Sequence, residues 1–197
     1  MRSPNSRHQI IGLTGHAAVG KDRLANIMVD RGFTHCSLGD IVREEIIKQH
    51  MVPSRTLQTK IANELRAEHG GDYLMRRAVE LVGPADRSVI SGLYSVSEGS
   101  YLVAEKKGVL VGVLADRDPK LDMKIRYKRL ISRADGSRDD LSFEQFQAAF
   151  DREQSGSAAG ETNVKKLLQM AGHVILNSDG MTPDDILVQL TPIIGEN

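Results

Sequence analysis

Apolar residues along this chain fall into two patterns. Nearly continuous runs occur at Ile10-Ile11-Gly12-Leu13, Phe33-Thr34-His35-Cys36, Ser88-Val89-Ile90-Ser91-Gly92, Val109 to Leu114 and His173-Val174-Ile175-Leu176. Each has the length and β-branched content of a buried strand. Between them, apolar residues recur at helical spacing. Leu24, Ile27 and Met28 mark a helix from about Gly20 to Asp30, closed by Arg31-Gly32. Asp40 stands where it would cap a helix over Ile41 to Lys48, which Pro53 ends. Ser54 opens another helix with Leu57, Ile61 and Leu65 on one face, and Asp72 begins a fourth run through Leu81. Later helices are predicted over Val96 to Lys107, from Pro119 along a basic stretch, over Phe143 to Glu153, Val164 to Met170 and Pro183 to Leu190. Continuously apolar strands alternating with helices predict an α/β fold whose parallel sheet is covered on both faces. Ligands on such sheets bind at the carboxyl ends of the strands.

The chain is long enough for one domain with small insertions. Residues 37–83 read as an all-helical insert between two strands. Residues 134–160 are rich in polar and small side chains, which predicts a segment free to move.

Directly after the first apolar run comes Gly15-His16-Ala17-Ala18-Val19-Gly20-Lys21-Asp22. It fits the phosphate-loop pattern G-x-x-x-x-G-K-S/T everywhere except at Asp22. Two glycines let the backbone curl so that successive N–H groups face phosphate oxygens. Lys21 adds a mobile positive charge, and the following helix contributes its positive end. A strand before the motif and an amphipathic helix after it supply the context the motif requires. The stretch Gly15 to Asp22 is therefore the candidate nucleotide site.

Charge and composition narrow the partners. Among 197 residues, 26 basic and 26 acidic side chains cancel, which argues against a general electrostatic grip on nucleic acid or an anionic membrane. There is no Trp, so stacking platforms for single strands are poorly supplied. The single cysteine, Cys36, permits no intramolecular disulfide and no multi-cysteine zinc site, and fits a reducing compartment. The polar N-terminal residues and the lack of a long apolar run read as a cytoplasmic protein.

A resemblance enters at Leu38-Gly39-Asp40-Ile41-Val42-Arg43-Glu44-Glu45. Taken with the phosphate loop, this segment resembles the adenylate-kinase-related nucleoside-monophosphate kinases. It is most similar to an archaeal branch whose members carry a like Gly-Asp-x-x-Arg-Glu-Glu segment. The likeness extends to Glu64-Leu65-Arg66, the strand ending at Gly92, the basic helix, Phe150-Asp151-Arg152-Glu153 and Ile175-Leu176-Asn177. It implies a three-layer P-loop fold with a five-stranded parallel sheet. The insert at 37–83 would bind the acceptor and a small lid at 134–160 would cover the donor. It implies ATP with Mg²⁺ as cofactors and a nucleoside or deoxynucleoside monophosphate as acceptor, in a monomer or homodimer.

The resemblance also implies residue roles. Asn177 would join the loop in holding the nucleotide. Arg43 would hold the acceptor phosphate, with Gly39 and Asp40 on its sugar side and Gly92 and Tyr94 completing that site. Lys21, Arg129, Arg133 and Arg138 would serve the transferred phosphoryl, whose spreading charge planar guanidinium groups stabilise well. Three positions depart from the pattern. Asp22 replaces the hydroxyl expected to touch Mg²⁺, a role a carboxylate fills through water. The strand expected to end in an acid ends in Ser91-Gly92. Leu93-Tyr94-Ser95 stands where an acceptor arginine is expected. A dephospho-coenzyme A kinase and a nucleotide-binding regulator with weak turnover are the alternative readings.

Overall fold

The computed structural model describes residues 9–132, 142–154 and 162–195. Five strands, β1 (Gln9–Thr14), β2 (Thr34–Ser37), β3 (Arg87–Leu93), β4 (Val109–Leu114) and β5 (His173–Leu176), form one sheet in the order β2-β3-β1-β4-β5. Every neighbouring pair runs parallel. The apolar run of β1 fits its central place, since Ile11 and Leu13 are both fully buried. With all strands parallel, their carboxyl ends share one edge, and the segment after Thr14 opens there.

Helices cover both faces, each with its own apolar core. On one side α1 (Lys21–Val29) and α9 (Pro183–Ile194) pack Leu24, Met28, Ile186 and Leu190 against β1, β3 and β4. On the other lie α2 (Leu38–Lys48), α3 (Arg55–His69), α4 (Tyr73–Val82), α5 (Val96–Ser100) and α8 (Val164–Met170). The helices α2 to α4 occupy the stretch between β2 and β3. Two further helices, α6 (Pro119–Ile131) and α7 (Phe143–Gln154), sit beside the phosphate-loop segment, with Leu130 and Phe146 packed on Ala18. Arg133 and Arg138, and most of the small-residue stretch around them, lie outside the described residues.

The helix predicted from Ile41 starts earlier. Strand β2 runs straight into α2 at Leu38, whose buried side chain anchors the first turn, and Ser37 is the cap residue. Asp40 therefore sits inside the first turn and is not the cap. Val96 to Lys107 is not one regular helix. A reciprocal cap between Ser95 and Glu98 starts α5, and the chain then widens into a π-helical turn over Tyr101–Glu105. Helix α9 runs through Pro192 to Ile194, held by burial of Ile193 and Ile194.

Cys36 lies half-buried on β2. Burial, with the nearby carboxylates of Asp40 and Glu44, pushes its thiol up to about 11. Against the ordinary value of 9.0 this leaves roughly a hundredfold less thiolate at pH 8. Native protein should therefore react with a disulfide reagent about two orders of magnitude more slowly than free cysteine. Urea-unfolded protein should react at the ordinary rate, and absorbance kinetics of the released thiolate would check both.

A candidate phosphate-binding loop and acceptor cavity

The loop between β1 and α1 adopts its curl through three residues with positive φ: Gly15 at 146°, Ala18 at 61° and Gly20 at 93°. Two of them are glycine for steric reasons also. A Cβ on Gly15 would lie 2.5 Å from the carbonyl oxygen of Val113, and one on Gly20 would lie 2.1 Å from Nδ2 of Asn177. Turning N–H groups toward a ligand turns carbonyl oxygens outward, and buried carbonyls need donors.

Those donors are side chains from three elements. Lys21 Nζ donates to the carbonyls of Gly15 (2.7 Å) and His16 (3.0 Å). Arg126 Nη1 donates to Ala17 at 3.4 Å. Asn177 Nδ2, at the end of β5, donates to Val19 at 2.9 Å, and Arg129 Nη1 reaches the same oxygen at 3.3 Å. Asn177 is itself fixed, since its N–H donates to Leu114 and its side-chain oxygen accepts from Arg23.

The two α6 arginines differ in surroundings. Arg129 is partly exposed and also donates to the carbonyl of Asn177 and to Asp179. With Gly20, Arg23 and Ser178 it lines a hollow of about 300 Å³ beside the loop. Arg126 is only 1% exposed. Its Nε donates to Asp122 Oδ2 at 2.6 Å, while Asp122 Oδ1 accepts from the backbone of Ala115 just past β4. The guanidinium lies 5.3 Å from the ring of Phe146 and 4.8 Å from that of Phe150, both on α7. His16 of the loop meets Phe150 with ring centroids 4.4 Å apart. Arg126 thus joins the loop, β4, α6 and α7, and its Nη2 is buried without a hydrogen-bond partner among the described residues.

On the other side of the loop is a cavity of about 920 Å³. Gly39, Gly92 and Tyr94 line it with Ala17 of the loop, α3 closes one side, and Ala148 and Ala149 of α7 close another. Tyr94 is the link to the loop: its hydroxyl is 3.4 Å from Lys21 Nζ, which also lies over its ring. Asp40 and Arg43 are paired with each other, both exposed, and are not among the residues lining this cavity. Asp22 is exposed in the first turn of α1. Ser91, where the acid is missing, is buried and hydrogen-bonded to His35 Nε2 at 2.9 Å. Burial lowers the His35 pKa, against the raising effect of the Asp22 and Asp40 carboxylates.

Two residues central to this geometry were not candidates from sequence. Arg126 looks like one more cation on a basic helix, although Asp122 four residues earlier is a readable signal for its pairing. Arg66, buried in the cavity wall against Glu98 of α5, falls within the family likeness at Glu64-Leu65-Arg66, but its pairing has no local signal because the partner is 32 residues away.

Removing the Asp122 charge leaves Arg126 buried and uncompensated. Asp122→Asn should lower unfolding free energy by about 3 kcal/mol, read by urea denaturation. The double variant Asp122→Leu/Arg126→Met should recover much of that loss.

No family model matches the chain. A UPF0200 protein of Pyrobaculum aerophilum is 32% identical to it over 169 residues, which cover 85% of this chain and 87% of that one. A UPF0200 protein of Thermococcus gammatolerans is 30% identical over 174 residues, covering 85% of each. Among solved structures, a shikimate kinase from Bacteroides thetaiotaomicron superposes with a TM-score of 0.59 at 14% identity, covering 95% of this chain and 99% of that one. One from Acinetobacter baumannii, in complex with shikimate, gives 0.58 at 12% identity, covering 94% and 93%. At such identities these structures speak for the fold alone. The chain belongs to the UPF0200 family and has the fold of the P-loop kinases.

Proposed function

We propose that this protein is a phosphotransferase that moves the γ-phosphoryl of ATP to a small phosphorylated acceptor, a nucleoside or deoxynucleoside monophosphate. The observation that carries this reading is the junction at Tyr94 and Ala17. A curled phosphate loop and a 920 Å³ cavity meet there, with the loop's lysine at their boundary. That volume suits a nucleotide-sized ligand.

The donor phosphates would lie in the loop between Gly15 and Lys21. The donor's nucleoside end would lie over the hollow of Arg23, Arg129 and Asn177. Mg²⁺ commonly keeps several waters and takes one or two protein carboxylates plus phosphate oxygens. Asp22, exposed one residue after Lys21, fits that demand as the carboxylate that would hold it. When bound, the ion neutralises phosphate charge. The chain's own contribution is positioning and electrostatic stabilisation, with no protein nucleophile. Lys21 holds the β- and γ-phosphates. Arg126, with its unused Nη2 beside the loop, places further positive charge next to the transferred group.

One observation favours a second reading, a nucleotide-binding regulator with slow turnover. Ser91, bonded to His35, occupies the strand end where an acid is expected.

The test is an ADP-release assay with ATP and Mg²⁺ across ribo- and deoxyribonucleoside monophosphates, with dephospho-coenzyme A in the same panel. The reading expects turnover stimulated by one or more monophosphates, and Lys21→Ala should cut kcat/KM at least a hundredfold, in the range of a lost charge stabiliser. ATP binding with only slow, acceptor-independent hydrolysis would overturn it in favour of the regulator.

A further inference from the structure

We propose that Arg66 of α3, which lines the large cavity, is the residue that binds the acceptor's phosphate through its guanidinium. The proposal rests on the phosphotransferase reading and adds a named anion-binding group to it.

The cavity-facing side of α3 is polar along its length. Arg55, Thr59, Asn63 and Arg66 fall at spacings of four, four and three and all line the cavity, while Leu57, Ile61 and Leu65 pack into the core. The stripe runs for about three turns, from the exposed Thr59 and Asn63 to a buried arginine, and a buried cation is costly unless it meets a counter-charge or a polar ligand. Arg66 is its most buried cation, at 4% exposed.

Its orientation is fixed. Nε donates to Glu98 Oε1 at 2.9 Å, Nη2 pairs with the same oxygen at 2.8 Å, and Nη1 donates to Asn63 at 3.2 Å. Glu98 is fully buried, and its other oxygen accepts from the backbone N–H groups of Tyr94 and Ser95, both at 2.9 Å. The carboxylate thus holds the guanidinium by its side edge. Among the described residues, Nε and Nη1 each donate one hydrogen bond and Nη2 lies at ion-pair distance from Glu98, fewer contacts than the five N–H groups can make. A guanidinium with N–H groups to spare suits the oxygens of a phosphate.

The Glu98 carboxylate also caps α5 through Tyr94 and Ser95, and a buried ion pair gives little net stability over apolar residues of equal volume. What the pairing does achieve is placement. It ties the guanidinium, through one carboxylate, to the backbone of Tyr94, the residue whose hydroxyl reaches Lys21. An acceptor phosphate at Arg66 is thereby brought to the Lys21 end of the cavity, where the transferred phosphoryl must arrive. Arg43, exposed and paired with Asp40, lies outside that lining.

Arg66→Lys keeps a charge for Glu98 and removes the fork; Arg66→Met/Glu98→Gln removes both charges and guards against misfolding. Both are compared with Arg43→Ala by steady-state kinetics and by calorimetry of monophosphates, with a non-hydrolysable ATP analogue saturating the loop. The expectation for the Arg66 variants is a monophosphate KM and Kd raised roughly 10- to 100-fold, with the ATP KM within about twofold of wild type. Arg43→Ala should change the monophosphate values less than about threefold. Unchanged acceptor constants in Arg66→Lys, with monophosphates turned over, would overturn the site and leave the phosphotransferase reading intact. Wild type turning over no monophosphate would overturn that reading instead. The same analogue-blocked proteins titrated with inorganic phosphate then decide Arg66 alone: weaker binding by Arg66→Lys supports the site, and equal or undetectable binding in both rejects it.

Discussion

A backbone that offers its N–H groups to a ligand must turn its carbonyls outward, and this structure is organised around satisfying them. Four carbonyls of the loop, those of Gly15, His16, Ala17 and Val19, accept from Lys21, Arg126, Asn177 and Arg129. The donors come from α1, from α6 and from the end of β5, so one short loop fastens three elements together. Each donor is in turn held elsewhere: Arg126 by Asp122, Asn177 by Leu114 and Arg23, Arg129 by Asp179. The sheet order places β4 and β5 beside β1, which is what brings these donors within reach.

The two deeply buried arginines follow one design. Arg126 is held by Asp122, which also accepts from the backbone after β4. Arg66 is held by Glu98, which also accepts from the backbone after β3. In each case one carboxylate fixes a guanidinium to the carboxyl end of a strand. Desolvating such pairs is expensive, and apolar replacements of equal volume are often no less stable. Their common effect is to hold two positive charges at set places beside the loop and the cavity. The exposed pair of Arg43 and Asp40 is different, since a solvated ion pair contributes about 0–1 kcal/mol and fixes little.

Much of the fold was legible because its signals are local. Apolar runs marked all five strands, and the glycines and lysine of the loop marked the phosphate site. Boundaries were missed where tertiary contacts decide them: Leu38 anchors α2 three residues early, and the bulge after Ser100 ends a regular helix that propensity would continue. The site was less legible for the same reason. Arg126 and Arg129 are alike in sequence, yet only Arg126 is enclosed by Phe146 and Phe150 of a distant helix. Arg66 carries only a family likeness in sequence until Glu98, beyond one helix and one strand, is seen beside it.

The three positions that depart from the kinase pattern, Asp22, Ser91 and Tyr94, gather near the carboxyl ends of β1 and β3. Ser91 removes a carboxylate from the end of β3, while Asp22 adds one at the start of α1. His35 bridges the two places, bonded to Ser91 and within the field of Asp22. Burial lowers its pKa, which favours the neutral ring beside a loop already surrounded by Lys21, Arg126 and Arg129. Tyr94 brings no charge of its own but carries the contact between cavity and lysine. Arg66 stands behind Glu98, which accepts from the backbone of the residues that follow Gly92, so a long-range ion pair ties α3 to the end of β3.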